Sequence, residues 1–150
     1  MNEQEYGVDF KEHFLEQYKL YVEMADNVSS RRDRTNHFYI AVISGLLAVI
    51  SFAFKCGLCN SKIFLSLLSS IGILFCVVWF INIKAYSQLN SGKFKVIHEM
   101  EKNLPFPCYD REWVILGRGK EFKKYLPLTH IEQLIPFLFA IPFIIFLFFA

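Results

Sequence analysis

Apolar residues run along this chain in two ways. Three stretches are continuous: His37–Phe54, Ile63–Ile83 and Leu134–Ala150 contain no Asp, Glu, Lys or Arg. Two others are periodic. Phe14, Tyr18, Tyr21, Val22, Ala25 and Val28 recur at helical spacing, with Glu12, Glu16, Glu23 and Asp26 on the remaining positions. Asp9 and Glu12 stand at N-cap spacing, so the pattern predicts an amphipathic helix over 9–30. Tyr86, Leu89, Phe94, Ile97, Met100 and Leu104 carry a second stripe through 82–104, which Pro105-Phe-Pro107 ends.

The continuous runs have the length of a bilayer. His37–Phe54 is 18 residues and Ile63–Ile83 is 21, about 27 and 31 Å as helices at ~1.5 Å per residue. The hydrocarbon core is ~30 Å thick. Only the short segment 55–62 joins them, so 37–83 reads as a transmembrane hairpin with an external turn. The last run is 17 residues, at the lower limit for a span. Thr129 and Glu132 form a capping box that starts this helix near His130 and lengthens it. Pro136 and Pro142 are better tolerated in a membrane than in water, and six Phe surround the helix on all sides. A third span over 129–150 follows, the alternative being a helix in the interface or buried in an oligomer. Between Pro107 and that helix the sequence predicts a short helix at Asp110–Leu116, a Gly117-Arg-Gly119 turn and a basic stretch to Tyr125. The predicted fold is an all-α integral membrane protein. It has an amphipathic helix in 1–36, the hairpin 37–83, a cytoplasmic helical segment 84–128 and a C-terminal membrane helix 129–150.

Charge orients the spans. Of 16 basic residues, five precede the first span and nine follow the second. The positive-inside rule places both groups in the cytoplasm, with Arg31, Arg32, Arg34 and Lys84 as the anchor. Residues 1–36 show no charged n-region followed by an apolar h-region, so the first span is expected to act as its own insertion signal. The net charge of +2 is too small to suggest nucleic-acid binding. Residues 1–36 carry net −3 and 84–128 net +4. Opposite signs predict that the two segments pack together, within or between subunits; two separately solvated faces are the alternative. Acidic charge keeps the N-terminal stripe off an anionic membrane surface, so a protein surface, including that of a soluble partner, suits it better. Ala41, Ser44, Gly45 and Ala48 on the first span, and Ser66, Ser69, Ser70 and Gly72 on the second, form small-residue stripes. Such stripes admit close helix packing, either between subunits or within the hairpin.

Candidate chemistry is sparse. Arg32 and His37 match the Arg-x4-His spacing of the helical HEPN ribonucleases, but the pattern is short and both residues also suit the membrane edge. Cys56 and Cys59 form a C-x-x-C in the external turn; a disulfide there is open, whereas a redox domain has no room. Cys76 and Cys108 have no partner in the sequence. Arg118, Lys120, Lys123 and Lys124 form a basic turn suited to an anion or a lipid headgroup, without the residues of a phosphate loop. Trp113, Tyr125 and Tyr86 suit either the inner interface or a cytoplasmic core. Asn90, Lys93 and His98 would line a polar space if their helix faced a symmetry axis, and would otherwise be solvated. Catalytic residues, metal ligands and cofactors are not expected.

Several blocks of sequence carry a resemblance. Arg31-Arg-x-Arg-x-Asn36-x-Phe38 opens the first span. Trp79-Phe-Ile-Asn-Ile-Lys84-x-Tyr86-x-x-Leu-Asn90-x-x-Lys93-Phe94-x-Val96-Ile97-x-Glu99-x-Glu101 leaves the second. Leu104-Pro105, Glu112-Trp113, Gly119-Lys120, Tyr125-x-Pro-Leu-Thr129 and Glu132-x-x-x-Pro136 follow. Together, over about residues 18–145, they resemble the RipA-type family of small octameric bacterial inner-membrane proteins. The resemblance implies a homo-octamer in the bacterial inner membrane. The architecture is also similar to the pore-forming membrane accessory protein of an RNA-targeting CRISPR system and to the SLATT effectors. Those analogies imply a pore or gated channel acting in stress or phage defence, with a non-conducting scaffold or sensor as the alternative and a ribonuclease as the third. The implied partners are further copies of the chain, membrane lipids and, in the scaffold reading, a soluble protein.

Overall fold

A computed structural model describes residues 6–55, 62–119, 121, 125–126 and 128–149. Among them are four helices and no strand. They are α1 (Phe10–Lys55), α2 (Lys62–Glu101), α3 (Cys108–Ile115) and α4 (Leu128–Phe149), with a 3-10 turn at Gly117–Gly119 between the last two. The external turn, with Cys56 and Cys59, lies largely outside the described residues.

The amphipathic helix and the first span are one element. Between Gly7 and Gly45 there is neither Gly nor Pro, so nothing breaks the ladder where the chain becomes apolar. α1 has 46 residues and α2 has 40. At ~1.5 Å per residue these are about 69 and 60 Å long, twice the thickness of a ~30 Å hydrocarbon core. α1, α2 and α4 are each long and apolar enough to cross a membrane.

The chain divides into two compact units. One comprises Arg32–Ser87 and Leu128–Ala150 and holds the apolar runs. Its core is Tyr39, Ile43, Ile50, Leu65, Cys76, Trp79, Ile83 and Phe143. The buried positions on α2, from Leu65 through Ser69, Gly72, Cys76 and Trp79 to Ile83, step alternately by four and three. That is the heptad rhythm of helices packed nearly antiparallel. Tyr39 stacks on Trp79 with ring centroids 5.8 Å apart, and Trp79 tilts against Phe139 of α4. Gly72 leaves the space that the Phe143 ring fills. α4 continues through both prolines, and Pro136 is fully buried. The helix begins at Leu128, two residues before the expected start near His130. Glu132, expected to cap it, instead pairs with Arg32 of α1.

The other unit comprises Met1–Arg31 and Gln88–Pro127. The N-terminal stripe faces inward: Ala25 is buried, Phe14, Tyr18, Tyr21, Val22 and Val28 are partly buried, and Glu12, Glu16, Glu23 and Asp26 are exposed. The 82–104 stripe needs two corrections. Leu89 is about half exposed, while Lys93 is inside, only 9% exposed. The inward register on α2 runs Asn90, Lys93, Ile97, Glu101, again by three and four, so it includes polar positions that an apolar count leaves out. The short helix starts at Cys108, two residues before the expected Asp110. Gly117, Arg118 and Gly119 all have positive φ, which two glycines make possible in so short a turn.

Candidate functional site

Glu101 organises the polar unit. It ends α2 and is 1% exposed. Oε1 accepts hydrogen bonds from the Tyr109 backbone N–H at 2.8 Å and from the Tyr18 hydroxyl at 3.0 Å. Oε2 accepts from the Asp110 N–H at 2.9 Å. A carboxylate thus sits on the free N–H groups of the first turn of α3, where helix dipole and unpaired donors both favour negative charge. The same side chain ties α1 to α2. Burial first, then the hydrogen bond to Glu101, holds the Tyr18 phenol well above the ordinary tyrosine range. Nearby, Lys93 Nζ lies 4.7 Å from the Tyr21 ring centroid, a cation–π contact. Phe94 packs its ring on Tyr109 and on His98.

The two oppositely charged segments therefore do meet within one protomer. The Tyr18 link, however, runs through a buried acid of the net-basic segment. The expectation is that Asn90, Lys93 and His98 line a polar space on a symmetry axis or are solvated; Lys93 instead is buried within its own protomer, against the Tyr21 ring. Asn90 and His98 are partly buried, and the Asn90 amide oxygen is buried without a partner.

A second polar set binds the ends of the helices in the span unit. Arg32 Nε stands 3.6 Å from Glu132 Oε2, both side chains four-fifths buried. Trp79 Nε1 donates to Asn36 Oδ1 at 2.9 Å. Asn82 Nδ2 donates to the Tyr39 hydroxyl at 2.8 Å and to the Val78 carbonyl at 3.1 Å. The Thr35 and Tyr86 hydroxyls lie 3.4 Å apart. Arg32 thus differs from the exposed Arg31, Arg34 and Lys84 of the charge anchor. His37 is exposed and stands 3.6 Å from Asp33. The structure directs Arg32 and His37 to different carboxylates and does not bring them together.

The outward faces of the span helices differ. On α2, Ile63, Leu67, Leu74, Val77 and Ile81 are exposed, and on α4 Leu134, Phe137, Leu138, Ile141 and Phe148. α1 instead presents a line of His37, Ala41, Ser44, Ala48, Ser51 and Lys55, all exposed, with Gly45 beside it. Nothing lies within 4 Å of a Cβ built on Gly45. The small-residue stripe of α1 is therefore not used to close the hairpin. That of α2 faces inward at Ser69 and Gly72, with the Ser69 hydroxyl buried and unpartnered.

Arg118 is exposed at the turn; Lys120, Lys123 and Lys124 lie outside the described residues. Trp113 packs edge-on against Tyr125 and lies close over Gly119. Cys76 is buried and Cys108 exposed, both as free thiols. Among the described residues no group of His, Cys, Asp or Glu is arranged to hold a metal ion. Sequence reasoning gives Glu101 no role at the site and gives Glu132 only the role of a cap. Each is an acidic residue at an inward helical position.

Long apolar helices, polar links confined to the charged ends of the spans and an outward small-residue face define a polytopic α-helical membrane protein with open surfaces for self-association. The chain matches the octameric membrane protein family over residues 15–150 and belongs to it. No curated protein and no solved structure matches the chain.

Proposed function

We propose that eight copies surround an axis lined by the small polar face of α1 and conduct ions across the bacterial cytoplasmic membrane. The observation that carries this reading is the line His37, Ala41, Ser44, Ala48, Ser51 and Lys55. It is a poor face to give to lipid and a suitable one for water or close helix contact. Eight helices side by side at ~10 Å spacing would ring an opening on the order of 15 Å. A pore that wide needs no charge within the bilayer, in keeping with spans that have none between 37 and 54 or 63 and 83. The excess of basic residues flanking the spans puts the N-terminus in the cytoplasm. A wide pore of this kind would dissipate the membrane potential, which suits a stress or phage-defence effector. No enzymatic chemistry is assigned: Arg32 and His37 serve local ion pairs.

The test is flux. Purified octamer in liposomes should release a small dye and collapse a potassium gradient. Ala48→Cys modified with a charged thiol reagent should reduce that flux, with Leu67→Cys on the lipid-type face of α2 as the unaffected control. Octamers that hold both gradients would discard the pore. A non-conducting scaffold that recruits a soluble partner would then stand. The observation in its favour is the set of exposed apolar side chains on α3.

A further inference from the structure

The small polar line on the outward side of α1 ends in a charge. It steps by four and three from His37 to Lys55, and Lys55 is its one Asp, Glu, Lys or Arg. No Asp or Glu occurs between Asp33 and Glu99. The turn end of the hairpin therefore has two charged side chains, Lys55 and Lys62, both cationic and both exposed. Their surroundings differ. Lys62 borders a groove with Ile63, Ser66, Leu67 and Leu147, on the lipid-type side of α2. Lys55 stands on the line of Ala and Ser. At the other end of the line the charges are mixed. Asp33 stands 3.6 Å from His37, Arg34 and Lys84 are exposed, and Arg32 pairs with Glu132. The carboxylates on the exposed side of α1, Glu12, Glu16, Glu23 and Asp26, come before the span. Asp26, the nearest of them in sequence, is about 44 Å from Lys55 along the helix at ~1.5 Å per residue.

We infer that eight copies of Lys55 ring the turn-side mouth of the proposed pore and make it select small anions over small cations. The inference rests on the pore reading. Half the width of an opening on the order of 15 Å is about the Debye length at physiological salt, ~8 Å. The field of the ring therefore reaches the axis before salt screens it. Rings of Lys or Arg are how protein pores favour anions, and no carboxylate within the hairpin opposes this one. An opening so wide does not sieve small ions by size, so charge alone sets the preference, which is partial. The inside-negative membrane potential drives anions outward. Their loss dissipates that potential just as cation entry would.

The full-chain octamer in planar bilayers, under a potassium chloride gradient, tests it through the reversal potential. The chloride-to-potassium permeability ratio should be at least ~3 at about 0.15 M salt. It should fall toward ~1 at about 1 M, where the Debye length is only ~3 Å. Lys55→Glu should bring the ratio below ~1, and Lys55→Arg should preserve it. Lys62→Gln should keep most of the preference. A second variant changes the charge after assembly: Lys55→Cys in a chain with Cys56, Cys59, Cys76 and Cys108 replaced by Ala. A cationic thiol reagent should then restore the preference and an anionic one reverse it. A wild-type ratio near or below ~1, or a preference that follows Lys62 and not Lys55, overturns the inference and leaves the pore standing. Octamers that carry no current remove the pore and its selectivity together.

Discussion

Glu101→Ala removes the acceptor that joins three elements, and its cost can be worked from the geometry. Hydrogen bonds to a charged group are worth about 1.5–3 kcal/mol each. The carboxylate accepts three, from Tyr18, Tyr109 and Asp110. All three donor residues are only partly buried. Three full bonds would sum to about 4.5–9 kcal/mol; water recovers part of each, so the net loss should fall below that sum, at about 3 kcal/mol. The loss is local, because it falls on the contact of α3 with the end of α2. Hydrogen–deuterium exchange over residues 105–116 reads it directly. A 3 kcal/mol loss corresponds to roughly 10²-fold faster exchange where local opening controls the rate. Glu101→Gln keeps one acceptor but turns an NH₂ toward a backbone donor, and should fall between Ala and wild type. Glu99→Ala, at an exposed position one turn segment away, should change nothing. Exchange in Glu101→Ala within about threefold of wild type, as an opening energy, would show that the carboxylate does not hold α3.

Tyr18 gives the pH dependence of the same contact. Its neutral phenol is the donor, and its folded-state pKa is raised by burial and by Glu101. The stabilisation is therefore complete below the unfolded value of about 10 and is lost as pH rises from there through the folded value. Tyr18→Phe should remove that alkaline slope from exchange measured around Glu101. Arg32→Ala leaves Glu132 largely buried without its ion-pair partner, and should cost about 3–5 kcal/mol in detergent unfolding. His37→Ala, with its exposed pair, should cost almost nothing; equal effects would revive a joint role for the two residues. Gly72→Ala drives a Cβ into the buried Phe143 ring and should destabilise the protomer by about 1–3 kcal/mol. Gly45→Ala meets nothing within 4 Å and should leave protomer stability unchanged or slightly raised, as the same unfolding assay would show.

Much of the fold was legible because two rhythms are written plainly. Unbroken apolar runs of 18 and 21 residues admit little but spans, and the inward stripe of α1 is an ordinary apolar period. Legibility failed where a polar residue held an inward position. An apolar count selects Leu89 over Asn90 and Lys93. The three-and-four register, followed down from Ile83, leads instead to Asn90, Lys93, Ile97 and Glu101. Burial of Lys93 depends on a ring from α1, and burial of Glu101 depends on donors from α1 and α3. Those contacts are set by tertiary packing, which no local pattern encodes. Glu132 misled for a related reason. Its spacing from Thr129 fits a cap, but a guanidinium on another helix competes for it, and a charge pair is stronger than a second cap bond.

The exposed line on α1 has two physical explanations, and one substitution separates them. A face of Ala, Ser and Gly next to lipid would forfeit the dispersion contacts that bulky side chains make, so it faces either another helix or water. If helices pack there, their backbones approach closely and the space at Ala48 is filled by a neighbour. Ala48→Trp would then force the helices apart, and octamer and flux would be lost together. If the face lines water, the indole has room and the octamer survives while the opening narrows. The conduction reading therefore predicts an intact octamer by light scattering with flux reduced several-fold. Gly45, beside the line and equally open within the protomer, serves as an internal comparison. Gly45→Trp turns toward the flank carrying exposed Phe38 and Phe52, and should weaken assembly more than Ala48→Trp does. Loss of the octamer in Ala48→Trp, with Gly45→Trp assembled, would invert the assignment and make the small-residue line a subunit contact instead of a pore wall.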